Sequence, residues 1–340
     1  MYEIMTWTAG VVTLVVAFVL TAALGKVMIP FLKRLKFGQT IKEIGPTWHQ
    51  KKQGTPTMGG IMFTIGAAVA VLVGYVMLSV NSDSQYSQVS VVNNVRLWAG
   101  LALAFEFGLV GFIDDYIKVV KKRNLGLTAM QKTVLQLVIC IGYVATLYLS
   151  GASSTIIIFP FLGQLDFGLL YYPLVVLGIY FIVNAVNLTD GIDGLASSVT
   201  TVYGIIFMVI TTILGAGHMH ILAAALTGGC LGFLVWNFYP AKVFMGDTGS
   251  MFLGGAVVAL AFGIDMPMLI LLAGIIYIVE ALSVVLQVIS FKTTGKRIFK
   301  MSPIHHHFEM SGWSEIKIVT VFSLVTALFG VLAVFSVLRM

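Results

Sequence analysis

Asn184-Ala-Val-Asn-Leu-Thr-Asp-Gly-Ile-Asp-Gly-Leu-Ala196 is a polar island with a long apolar run on either side. Its carboxylates, Asp190 and Asp193, stand at the mouth of hydrophobic segments, where charge is costly and needs a reason. Asn187, Asp190 and Asp193 recur every third residue, so one helical turn would set them on a common face. Gly191 and Gly194 let backbone amides approach a ligand closely. The same residues also read as a polar turn between two membrane helices. The other loops decide between the two.

Working outward, the apolar runs dominate. Of 340 residues 59% are hydrophobic and 10% charged, and mean hydropathy is +0.99, whereas a soluble domain is about a quarter charged. Runs long enough to cross a bilayer take about 20 residues. The chain offers ten, near 7–29, 58–79, 96–113, 131–150, 169–186, 197–214, 219–236, 248–264, 268–290 and 316–338. The expected fold is an all-α polytopic membrane protein, one integral unit over 1–340. The links at 215–218 and 265–267 are tight returns. Cys140 and Cys230 lie inside apolar runs and make no disulfide framework. The first run has no basic segment before it and no evident cleavage site, so it reads as a retained span.

The formal charge of +6 raises nucleic acid as a partner, but the placement of the charges points to topology instead. Loops after odd-numbered spans hold Lys33, Arg34, Lys36, Lys42, Lys51 and Lys52, then Lys118, Lys121, Lys122 and Arg123, then Lys242, then Lys292, Lys296, Arg297 and Lys300. Loops after even-numbered spans are nearly free of Lys and Arg. The positive-inside bias then makes five loops cytoplasmic and puts both termini outside. On the outer side 81–95 is polar and without a motif, 153–168 reads as a short hairpin or a plain loop, and Asp83, Asp166 and Asp265 stand singly.

The chemically loaded segments fall on the inner side. Gly111-Phe-Ile-Asp-Asp-Tyr116 places two adjacent carboxylates at a span end. Neighbours on a helix point about 100° apart, so both reach one ion only through a bend or through water. Phe244-Met-Gly-Asp-Thr-Gly-Ser250 brings a carboxylate, hydroxyls and flexible backbone, donors that suit a hard cation such as Mg²⁺. Phe244 suits stacking on a base or a plain interfacial role. Lys52, Gly54, Thr55 and Thr57 could cradle phosphate, without Walker spacing. His305-His-His307 lacks zinc-ligand spacing and better suits phosphate donation or proton transfer. Scattered Asp, Lys, Asn and His on one face fit metal-assisted phosphoryl transfer between a water-soluble and a lipidic substrate. A cation-coupled transporter would instead carry its acids at mid-membrane and show internal repeats. Within the spans only Glu106 and Glu280 lie away from the inner face, and no inverted repeat is visible.

These motifs, together with Lys51-Lys-Gln-Gly-Thr-Pro-Thr-Met-Gly-Gly60 and Pro303-Ile-His-His-His-Phe-Glu309, resemble the phospho-N-acetylmuramoyl-pentapeptide transferases over essentially the whole chain. That family lies within the polyprenyl-phosphate N-acetylhexosamine-1-phosphate transferases, and the His loop looks like its muramoyl-pentapeptide branch rather than a transferase of N-acetylglucosamine. The resemblance implies a Mg²⁺-dependent transfer from UDP-MurNAc-pentapeptide to undecaprenyl phosphate in a bacterial inner membrane, giving lipid I and UMP. It implies Asp247 as metal ligand, Asp114 as base for the lipid phosphate and Asp115 as its partner near the metal. Asn187, Asp190 and Asp193 would line the nucleotide site, with Asp193 and Phe244 nearest the uridine. Lys52, Thr57, Asn237 and His305, His306 and His307 would hold diphosphate, sugar or peptide, and Gln287 would line the same cavity. A homodimer is the implied assembly.

Overall fold

A computed structural model describes residues 2–35, 52–80, 87–120 and 125–340. Lys36, Lys42, Lys51, Asp83, Lys121, Lys122 and Arg123 lie outside the described residues. Among the described residues ten helices are long and apolar enough to cross a membrane. They are α1 (Tyr2–Arg34), α2 (Gly60–Val80), α3 (Ser87–Val120), α4 (Ala129–Leu149), α5 (Tyr171–Thr189), α6 (Leu195–Ile213), α7 (Gly217–Asn237), α8 (Gly246–Gly263), α10 (Ile275–Thr294) and α12 (Glu315–Leu338), with short α9 (Ile270–Ala273) and α11 (Ile304–Glu309) between the last three. In hydrocarbon each backbone group must be paired within its own segment, which is why these apolar runs are helical.

The centre of the bundle is α8, where every residue from Thr248 to Gly263 is buried. It is enclosed by α3, α5 and α2. Backbones meet closely here because the contact positions are small. A Cβ added at Gly255 would come 2.7 Å from Ala104 Cα on α3, and one at Gly254 would come 2.8 Å from Val183 Cα on α5. Without a hydrophobic drive between helices in lipid, such close packing does much of the holding.

The stretch 153–168 is a hairpin, with β1 (Ile156–Phe159) antiparallel to β2 (Gly163–Asp166) and Ile156 opposite Asp166. Three expectations need correction. The polar segment before the third span is helical from Ser87, and that helix continues to Val120, so Lys118 is helical and not a loop residue, and Asp114 and Asp115 lie a turn inside the helix end. The ninth span is not one rod: a 3₁₀ turn at Pro267–Leu269 leads into α9, and the chain breaks at Gly274 before α10 runs on to Thr294. Finally, Asp265 and Asp166 do not stand alone. Asp265, at φ +57°, pairs with Arg96, which also donates to the Ala152 carbonyl. Asp166 accepts from Thr155 Oγ1 at 2.7 Å and from the Gly168 amide at 2.9 Å.

Candidate active site

The acid pair on α3 is placed by a helix crossing. A Cβ at Gly111 would overlap the Asp247 carbonyl, so only glycine lets α3 pass this near the start of α8. One turn on, Asp115 Oδ2 accepts from the Thr248 amide at 2.9 Å and from Thr248 Oγ1 at 2.8 Å. Asp115 therefore caps the N-terminus of α8, whose unpaired amides favour negative charge. Asp114 Oδ1 accepts from the Leu127 amide at 2.8 Å, and its Oδ2 lies 2.6 Å from Lys118 Nζ.

Asp247 stands in the first turn of α8. Its Oδ2 receives Lys132 Nζ at 2.8 Å and Lys118 Nζ at 3.0 Å, and its Oδ1 receives Asn187 Nδ2 at 3.0 Å. Asn187 also donates to Ser250 Oγ at 2.7 Å. One carboxylate oxygen from each of Asp114, Asp115 and Asp247 fits within 4.8 Å of the others. The adjacent α3 residues thus bring an oxygen each to the neighbourhood of Asp247 while α3 stays helical. Three hard oxygen donors at this spacing fit one divalent cation that keeps part of its water shell.

A second cluster lies beside the first. Lys52 Nζ is 2.7 Å from Asp193 Oδ1 and 2.6 Å from Glu315 Oε2. Asp193 Oδ2 accepts from the Ala241 amide at 2.8 Å, and the Asp193 amide donates to Glu315 Oε2 at 3.0 Å. Asp193 and Glu315 are buried, so removing the one cation that pairs with both among the described residues leaves two enclosed anions facing each other. Lys52→Ala is expected to lower stability by about 3 kcal/mol, read as a lower SDS fraction at the unfolding midpoint in mixed micelles. An unchanged midpoint would show that water screens this pair.

The 187–193 stretch is not one helical turn. The helix ends at Thr189, Asp190 leaves it at φ −82° and ψ 51°, and Gly194 at φ +75° precedes α6. The three side chains diverge accordingly: Asn187 goes to Asp247 and Asp193 to Lys52. Asp190 lies within the field of both clusters. Burial first, and then the charges of Asp247, Asp115 and Asp193, push its carboxyl up to about 8. Because the folded value exceeds the unfolded one, ligand-free stability is highest below about pH 4 for this group and declines as pH rises towards 8. Asp190→Asn is expected to flatten that decline, measured as SDS unfolding between pH 5 and pH 9 in EDTA.

The remaining residues expected at the site are engaged by the chain itself. A backbone ladder ties Pro56 to Gly60 against Phe244 and Met245, with Phe244 N to Pro56 O at 2.8 Å and Gly59 N to Phe244 O at 2.8 Å. This sets Thr57 beside Gly246 and leaves Phe244 half-buried. Asn237 is buried, donating to the Val243 carbonyl and accepting from Ser197. The Gln287 amide accepts from the Ile298 and Phe299 amides and donates to Phe299 O, holding the return after α10. His305 is buried, with Nδ1 3.0 Å from Glu280 Oε2 and its ring against Gly191. His306 Nδ1 meets Glu309 at 2.6 Å, and His307 Nδ1 accepts from the Lys300 amide at 3.1 Å. The three rings thus serve three different partners. The reading from sequence missed Lys132 and Glu315. Both sit at span starts, where charge also occurs without function, so nothing local marked them.

The bundle and its gathered carboxylates and lysines define a multi-pass membrane transferase of the glycosyl transferase family 4 class, whose family model matches residues 97–265. A phospho-N-acetylmuramoyl-pentapeptide-transferase signature matches residues 52–63. The chain is 46% identical to the phospho-N-acetylmuramoyl-pentapeptide-transferase of Halalkalibacterium halodurans, over 95% of this chain and 96% of that one. It is 46% identical to that of Clostridium perfringens strain 13, over 95% and 97%, and 44% identical to that of Oceanobacillus iheyensis, over 97% and 98%. The chain belongs to the phospho-N-acetylmuramoyl-pentapeptide transferase family and is an enzyme of that glycosyl-1-phosphate transferase type.

Proposed function

We propose that this enzyme moves phospho-MurNAc-pentapeptide from UDP-MurNAc-pentapeptide to undecaprenyl phosphate, giving lipid I and UMP, on the cytoplasmic face of a bacterial inner membrane. The observation that carries the reading is the meeting of Asp114, Asp115 and Asp247 with Lys118 and Lys132 at one end of the bundle. On this reading both termini face outward and the active chain is a homodimer.

The donor set fits Mg²⁺, with Asp247 the proposed ligand, Asp115 beside it and Asn187 orienting Asp247 through its Oδ1. When bound, the ion supplies positive charge to the diphosphate and to the departing UMP. The chain does the rest. Lys118 and Lys132 now rest on carboxylates, and both hold their ammonium groups where diphosphate oxygens need neutralising. Asp114 takes the proton of the lipid phosphate, whose oxygen attacks the sugar-linked phosphorus as the bond to UMP breaks. No covalent intermediate is invoked, and a phosphosugar adduct trapped on Asp114 would overturn that step. Asp190 and Asp193 line the uridine side with Phe244 nearby. Lys52 and Thr57 face the sugar phosphate, and His306 and His307 the peptide. Asn237, Gln287 and His305 position the walls rather than touching substrate, since their polar atoms hold other parts of the chain.

The test is radiolabel transfer to undecaprenyl phosphate with and without Mg²⁺, offering UDP-MurNAc-pentapeptide or UDP-N-acetylglucosamine. Transfer from the first only, and only with the cation, is expected. Transfer from the second would assign the chain to another lipid-linked polymer.

A further inference from the structure

Glu106 is the charged group that the active site leaves unexplained. It stands on α3 near the midpoint of the Val91–Val119 span and is exposed on its flank. It lies eight residues before Asp114, about 12 Å back along the axis. It has no partner among the described residues. It is the last α3 residue lining a groove of about 590 Å³ between α3 and α4. Ala99, Ala102 and Gly142 make part of the lining, and a Cβ at Gly142 would meet nothing within 4 Å. Tyr143 lines it too, and its buried hydroxyl has no hydrogen-bond partner.

We infer that this groove docks the transmembrane helix of a partner protein carrying a basic, hydrogen-bond-donating side chain at mid-membrane depth. A carboxyl at that depth is expensive without a donor. Acyl chains have none, and headgroups lie about 15 Å away at the surface. A helix pairs its own backbone and can deliver one polar side chain to the required depth. The lining from Val95 to Glu106 runs about 16 Å, three helical turns, and its small residues permit close backbone approach. Charge complementarity with Glu106 makes the incoming group basic. The groove lies outside the proposed active site, so the binding result stands even if the phosphotransfer reading fails.

The full chain is reconstituted in phosphatidylcholine vesicles with a labelled 24-residue Leu/Ala peptide carrying either a central Lys or a central Leu. Like charge keeps the Lys peptide from pairing with itself. Wild type should bind the Lys peptide about tenfold more tightly than the Leu peptide. Glu106→Leu should erase the preference and Glu106→Gln should keep part of it, with phosphotransfer unchanged in both variants. Equal binding of the two peptides, binding of neither, or a preference surviving in Glu106→Leu overturns the inference. So does full displacement of the Lys peptide by equimolar dodecylamine, which would make the occupant a lipid amine.

Discussion

Asp247→Ala is expected to lower phosphotransfer about 10³-fold, beyond any other single substitution on α8. Asp247 is where three elements meet, accepting from Lys132 on α4, Lys118 on α3 and Asn187 on α5. Truncation removes the proposed metal ligand and the acceptor that holds both ammonium groups at the reaction locus. Groups that stabilise developing charge from fixed positions contribute about 10²–10³ each, and this change disturbs several together. Steady-state UMP release at saturating substrates and Mg²⁺ measures it. A loss below tenfold would show that Asp247 is neither ligand nor organiser.

The second large effect is expected at a residue with no functional group. Gly111→Ala would press its methyl onto the Asp247 carbonyl, and the nearest atoms are backbone, which cannot swing aside. The helices must separate, carrying Asp114 and Asp115 away from Asp247 and straining the capping of Thr248 by Asp115. Overpacking a tight contact costs about 1–3 kcal/mol, and an ångström of misplacement costs about 10² in rate. The variant should therefore unfold earlier in SDS and turn over about 100-fold more slowly. Full activity in Gly111→Ala would mean that the α3–α8 contact does not set the site.

The ten spans were legible because lipid leaves a chain few options. An apolar run must close its own hydrogen bonds, so hydropathy and length announce each helix. The motif-bearing residues were legible for a similar reason, since acids and lysines crowded at one face of such a sequence are costly unless used. Other features were not legible. Periodicity does not say where a helix stops, so α3 was expected to end before Asp114 when it runs on to Val120. Spacing by threes suggested one helical face for Asn187, Asp190 and Asp193, yet the backbone turns out of the helix at Asp190.

By itself the sequence determined that the chain is a multi-pass helical membrane protein and raised the expectation that its acids and lysines gather at one end, because burial of apolar surface and the cost of charge are read residue by residue. Only the tertiary structure decided which residues share a locus. Lys132 joins Asp247 across 115 positions, Glu315 joins Lys52 across 263, and His305 turns to Glu280. Those pairings follow from where helices cross, and a crossing depends on the shape of two distant surfaces that no local stretch of sequence records.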